Sequence, residues 1–187
     1  MMQQDVARGK LIVLSGPGGV GKSTIVQELK KRDHFYFSVS ATTRAPRTGE
    51  IDGEAYHFVS ADEFQMMIND HVFLEWADFA GSRYGTPRGP VMSALDSGKD
   101  VLLEIEIEGA RQVKRAMPEA LMVFLQPPSM AELEARITNR GTDSPERIAA
   151  RLALARAEMA AAGEFDHILT NHRVDEVIQS LVSLATS

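Results

Sequence analysis

The residues with the plainest chemical meaning are Gly16-Pro17-Gly18-Gly19-Val20-Gly21-Lys22-Ser23, a run with the G-x-x-x-x-G-K-[ST] spacing. In such a run the glycines let the backbone wrap with its amides aimed inward at phosphate oxygens. The helix that follows adds positive potential, and the lysine reaches the β- and γ-phosphates. Lys22 takes that part here, Ser23 offers its hydroxyl to a magnesium ion, and Thr24 completes the candidate ATP-binding set. The chemistry is the binding of a nucleoside triphosphate; a glycine-rich turn with an incidental lysine is the plainer alternative.

A second group follows in Ser40 to Glu50, where Arg44 and Arg47 stand three apart on an irregular segment ahead of Tyr56. Two guanidinium forks and a phenol suit a phosphate monoester, because arginine offers paired donors matched to phosphate oxygens. Solvated surface arginines are the competing reading. In Val72 to Phe79 (VFLEWADF) the strand alternation predicts one face with Phe73, Glu75, Ala77 and Phe79 and another with Leu74 and Trp76. Glu75, among apolar neighbours, can accept paired hydrogen bonds from a base that carries both N–H and NH2 donors, as guanine does; otherwise it is an edge or ion-paired glutamate. Arg136 and Arg140 share a helix face, as do Arg147 and Arg151. They either face phosphates or solvate their helices, with Glu132 pairing to Arg136. The five histidines show no metal-ligand spacing on a common helix face, and the methionines read as core.

The elements that must carry these groups alternate. Lys10–Ser15 reads as a strand, Ser23–Arg32 as a helix, Phe35–Ser40 as a strand, and Ala41–Glu54 as a loop. Tyr56–Val59 reads as a strand, and Ser60 and Glu63 have the spacing of a capping box for a helix over 61–70. Thr86-Pro87 reads as a helix start with Gly98 past its end, and Asp100–Ile107 as a strand with Leu102, Glu104 and Glu106 on one face. A helix at Arg111–Ala116, a strand at Leu121–Gln126 and a helix at Ser129–Arg140 follow. Ser144-Pro145 opens a further helix that Gly163 closes, before a strand at Asp166–Asn171 and a helix at Val174–Ala185. Strands alternating with helices predict an α/β fold with a parallel sheet and right-handed crossovers.

Composition narrows the chemistry further. With 187 residues, 44% of them apolar, the chain can bury a sizeable core. Its 20 basic and 26 acidic residues leave a net charge of -6, so no overall field attracts nucleic acid or an anionic membrane, and any anion must be held locally. Without cysteine there are no disulfides, thiolate zinc sites or cysteine nucleophiles, which is the simplest pattern for a cytoplasmic protein. No signal-peptide core stands at Met1–Lys10, and no apolar run has membrane-span length.

From Leu11 to about Leu181 the chain resembles the guanylate kinases, through GPGGVGKST, FSVSATTRAPRTGEIDGEAYHF, FLEWADFAGSRYGTP and FLQPPSMAELEARITNRGTD. The SATTRAPRTGE segment is the specific part, since the glycine-rich run alone suits many NTPases. The resemblance implies a P-loop fold with a five-stranded parallel core at 1–38, 90–128 and 161–187. It also implies an inserted GMP-binding region at 39–89 with a small mixed sheet, and a helical lid at 129–160. It implies magnesium-dependent transfer of the γ-phosphate of ATP to GMP, and to dGMP, in purine metabolism. Arg44, Arg47, Tyr56 and Tyr84 would hold the acceptor phosphate, and Ser40, Glu75 and Thr86 would select guanine. Arg136, Arg140 and Arg151 would close over the ATP phosphates, and Asn171 would lie near the adenine.

Glu104 and Glu106 stand where the family usually has aspartates, and Glu108 where glutamine is common. Each carboxylate then reaches about 1.5 Å further, which a direct Mg2+ ligand tolerates less well than a group acting through water. Both are expected in the GMP site. Gly18, where serine is frequent, is expected only to ease backbone packing. Three other readings compete: a kinase for another nucleoside monophosphate, a guanylate-kinase-like interaction module without catalysis, and a nucleotide switch. Glu75 with the arginine loop opposes the first, the intact Lys22 the second, and the lack of an Asn-Lys-x-Asp motif the third. Oligomeric state has no signature in the sequence.

Overall fold

The computed structural model describes residues 7–32, 34–138 and 144–187. Its main sheet is parallel, with strand order β2-β7-β1-β8-β9. These strands are β1 (Leu11–Ser15), β2 (Phe35–Tyr36), β7 (Asp100–Glu104), β8 (Leu121–Gln126) and β9 (His167–Thr170). Every residue of β1 is buried, as a central strand of a sheet covered on both faces requires. Its alternation divides the core. Ile12 and Leu14 pack with α1 (Lys22–Lys30), α5 (Met130–Thr138), α6 (Pro145–Ala160) and α7 (Val174–Thr186), whereas Leu11 and Val13 pack with α3 (Arg88–Asp96) and α4 (Ile107–Ala116).

The second sheet is mixed and four-stranded, in the order β4-β3-β6-β5. It contains β3 (Ala41–Thr42), β4 (His57–Phe58), β5 (Phe73–Phe79) and β6 (Ser82–Pro87), with α2 (Ala61–Asn69) packed on it through Phe64. The expected α/β class, with a five-stranded parallel core beside a small mixed sheet, is what the chain adopts. The Ser60–Glu63 capping box forms with both of its reciprocal hydrogen bonds. Among the described residues no helix is long and apolar enough to cross a membrane.

Several local expectations need correction. The strand expected at Phe35–Ser40 stops at Tyr36, and a new strand begins at Ala41 in the other sheet. Thr86 does not cap a helix: it lies within β6, whose last residue, Pro87, is the N-cap of α3. The stretch SRYGTP has no apolar alternation and announces no strand beyond the helix start expected at Thr86-Pro87; pairing with β3 and β5 on its two sides makes it β6. β7 ends at Glu104, and Glu106 is the N-cap of α4, so Glu106 does not continue the Leu102–Glu104 face. A register irregularity between Phe73 and Glu75 breaks the alternation of β5. Phe73 therefore packs with Phe64 and Trp76 rather than on the face of Glu75.

Candidate active site

The glycine-rich run joins the C-terminal end of β1 to α1, at the strand end where open α/β sheets bind ligands. Gly16, Gly19 and Gly21 all have positive φ. At Gly16 a Cβ would also strike the Leu125 carbonyl, so this turn excludes other residues twice over. Gly18 differs: its φ is ordinary and nothing lies within 4 Å of where a Cβ would be. It is therefore not needed for packing, which corrects the expectation. Lys22 is buried, with its ammonium donating to the carbonyls of Gly16 and Pro17. The Ser23 hydroxyl donates to Glu104 Oε1 at 3.3 Å. Glu104 sits beside Leu14 in the sheet register, so it meets the loop where β1 ends.

Asn171, 6% exposed, turns its side chain onto the loop and donates through Nδ2 to the Val20 carbonyl at 2.8 Å. It buttresses the backbone around Gly21, where a Cβ would lie 2.7 Å from the same nitrogen. Arg136 reaches the same Val20 carbonyl at 3.3 Å while keeping its helical partner Glu132 at 3.5 Å. Arg151 lies half-buried on α6. Arg140 falls outside the described residues. Thr24 is exposed on the first turn of α1.

A cleft of about 300 Å³ opens between the two sheets. It is lined by Lys22, Ser23, Glu104 and Glu106 from the parallel-sheet side of the chain together with Ser40, Tyr56, Glu75 and Tyr84. Ala77 and Phe79 line it beside Glu75, so that part of the predicted strand face is real. Glu75 is 6% exposed and pairs across the sheet with Thr86, whose hydroxyl donates to its Oε1 at 2.5 Å. Burial pushes the Glu75 carboxyl above the ordinary carboxylate range, and the bonds from Thr86 offset part of that. The Glu104 carboxyl is also raised, by the protein walls around it, against the pull of Lys22 and Ser23.

Arg44 pairs with Glu50 at 2.9 Å, and its guanidinium stands 5.4 Å from the Tyr56 ring centre. The other Glu50 oxygen accepts the Arg47 backbone N–H at 2.7 Å, which draws the two arginines of the loop together. The Arg47 side chain is exposed. Tyr56 and Tyr84 meet edge to face at 5.9 Å. Burial raises the Tyr56 phenol, so it stays a neutral hydrogen-bond donor.

Sequence reasoning missed Glu158. This residue of α6 is 9% exposed and accepts the Gly18 backbone N–H at 3.0 Å, so a carboxylate sits on an amide of the phosphate loop. Burial raises its carboxyl. Its signal in the sequence was an acidic residue on an otherwise apolar turn of α6. Glu50 was missed as well; its spacing from Arg44 resembles ordinary surface pairing.

The guanylate kinase family model matches residues 8–187. A guanylate kinase from Synechocystis sp. is 50% identical over 182 residues, 97% of this chain and 95% of its own length. A guanylate kinase from Thermobifida fusca is 55% identical over 176 residues, 94% of this chain and 90% of its own. The crystal structure of guanylate kinase from Anaplasma phagocytophilum superposes with a TM-score of 0.76 at 31% identity, covering 95% of this chain and 85% of that one. With these likenesses running over nearly its whole length, the chain belongs to the guanylate kinase family and is an enzyme that phosphorylates GMP to GDP at the expense of ATP.

Proposed function

We propose that the transfer takes place in the cleft between the two sheets. ATP phosphates would lie on the loop from Gly16 to Thr24, and GMP on the residues of the mixed sheet. The observation that carries this reading is that Lys22 and Ser23 share one cleft with Ser40, Tyr56, Glu75 and Tyr84. Phosphoryl transfer depends on alignment and on neutralising charge more than on covalent chemistry. Lys22 and the loop amides would hold the donor phosphates, with Arg136, Arg140 and Arg151 closing over them. Arg140 enters through the family resemblance alone. Arg44, Arg47, Tyr56 and Tyr84 would grip the acceptor phosphate, so that Glu50 gives up Arg44 when GMP arrives. Ionised Glu75, oriented by Thr86, would accept the two guanine donors.

Magnesium fits this chemistry, because the Ser23 hydroxyl and the Glu104 carboxylate present hard oxygens side by side at the loop. Ser23 would hold the ion, with Glu104 as its neighbour, while Glu106 lines the same cleft. A bound Mg2+ would supply positive charge against the ATP phosphates. Asn171 would support the donor side by holding the loop rather than by touching adenine.

In this reading the core is 1–38, 90–128 and 161–187, the GMP-binding region 39–89 and the lid 129–160. The mixed sheet falling within 39–89, and α5 and α6 within 129–160, support that division. We also infer a cytoplasmic enzyme of purine nucleotide metabolism that acts on ATP and on GMP or dGMP without nucleic acid or membrane partners. ADP production with ATP and Mg2+, scanned over GMP, dGMP, AMP, UMP, CMP and dTMP, tests it. Turnover confined to the guanine nucleotides is expected; equal turnover with AMP would remove Glu75 from base selection.

A further inference from the structure

Gly109 stands in the first turn of α4, a position where glycine is a poor helix former and no turn demands it. Its lack of a side chain has a local cause. A Cβ there would lie 2.5 Å from Glu75 Oε2 and 3.2 Å from the Glu75 Cδ, closer than non-bonded carbon and oxygen approach. The other carboxylate oxygen is held by Thr86. Glu75 is thus bonded on one side and walled on the other.

One helical turn further on, Gln112 reaches β5. Its Oε1 accepts the Trp76 backbone N–H at 3.1 Å, and its Nε2 donates to the Trp76 carbonyl at 2.7 Å. Because β5 is an edge strand of the mixed sheet, these are backbone groups that no neighbouring strand serves. The register irregularity lies immediately before Glu75, so the pleat of β5 alone does not set where that side chain points. The amide clamp on the next residue does. The N-cap of α4, Glu106, lines the same cleft as Lys22 and Ser23.

We propose that Gly109 and Gln112 form a seat on α4 that positions the Glu75 carboxylate for reading the acceptor base. They are positioning residues acting through Glu75, and the proposal rests on the reading that Glu75 selects guanine. A side chain at 109 would push Oε2 off its place, and loss of the Gln112 clamp would let β5 shift.

The test is steady-state kinetics with ATP and Mg2+ on Gly109→Ala, Gln112→Met, Glu75→Asp, Glu75→Gln and the double variant Gly109→Ala/Glu75→Asp, each checked for folding by circular dichroism. Gly109→Ala is expected to raise the KM for GMP about tenfold, with the KM for ATP unchanged. In its background Glu75→Asp, one methylene shorter, should recover at least about threefold of that loss, although alone it is harmful. Gln112→Met should raise the GMP KM about threefold to tenfold and leave ATP unaffected, and it decides the matter if Gly109→Ala does not fold. A GMP KM unmoved in a folded Gly109→Ala, or in Gln112→Met where that variant must decide, overturns the seat. So does Glu75→Asp doing equal harm in both backgrounds. If Glu75→Gln leaves the preference for GMP over AMP intact, the base-reading role itself fails and the seat falls with it; a damaging Glu75→Gln beside a neutral Gly109→Ala removes the seat alone.

Discussion

In the phosphate loop the loop amides, Lys22 and Ser23 come from one unbroken run between β1 and α1. Around Glu75 almost nothing is contiguous: Thr86 comes from β6, and Gly109 and Gln112 from α4. The ligating groups of the loop are contiguous and most of its shape is written in its own φ angles, with Asn171, Arg136 and Glu158 only bracing it from outside. The Glu75 surroundings depend on how three elements dock, and a shift of one moves its carboxylate. The contrast teaches that donor binding and acceptor selection in this enzyme should fail separately.

The largest break expected is on the donor side. Lys22→Ala should lower kcat about 10³-fold, the scale on which a group that stabilises transferring charge contributes, while the far-ultraviolet circular dichroism stays unchanged; a near-normal rate would exclude Lys22 from the phosphates. Next comes the acceptor side. Glu75→Gln keeps the volume but replaces one acceptor oxygen by a donor, so the KM for GMP should rise about 10- to 100-fold with that for ATP held, measured beside AMP to read discrimination.

A weaker lever on the donor side is Glu158, a carboxylate of α6 resting on a loop amide. Glu158→Gln retains an acceptor for Gly18 and removes a negative charge that opposes phosphate, so the KM for ATP should fall about threefold. An ATP KM that rises would mean the charge helps to shape the loop.

The smallest effect concerns pH. Glu75 must be ionised to accept two donors, and burial raises its carboxyl. The KM for GMP should therefore climb as pH falls below neutral, earlier than an ordinary glutamate would cause, and Glu75→Gln should flatten that limb. Stability runs the other way. A carboxyl raised in the folded state makes the native protein bind more protons than the unfolded chain, so its contribution is greatest at acid pH and is lost as pH rises through the folded value. The Tm of Glu75→Gln relative to the unsubstituted protein should then increase from acid to neutral pH, measured by thermal melts across that range.

Where the sequence was readable, it was readable for a reason of distance. The strand at Leu121–Gln126 was found with its bounds because its apolar run is complete within itself. The Ser60 cap was found because both of its hydrogen bonds close over three residues. β6 was not found, since Ser82–Pro87 carries no alternation and owes its form to pairing with β5 across the Ala80-Gly81 turn and with the distant β3. The face of β5 was misread at Phe73 for a similar reason: a register irregularity leaves no mark in residue type. Glu104 was recognised as a departure, but only its contact with Ser23 shows what the longer side chain reaches.

By itself the sequence determined the phosphate loop, the α/β alternation and the family, because these rest on residue type and short spacing. Tertiary structure alone decided that Glu158 sits on the Gly18 amide, that Asn171 props the loop from behind, and that Glu75 is held between Thr86 and the bare backbone of Gly109. Each of these contacts joins groups far apart in the chain, and its energy appears only once the sheets and α4 have packed; no local pattern can encode a distance that the fold creates.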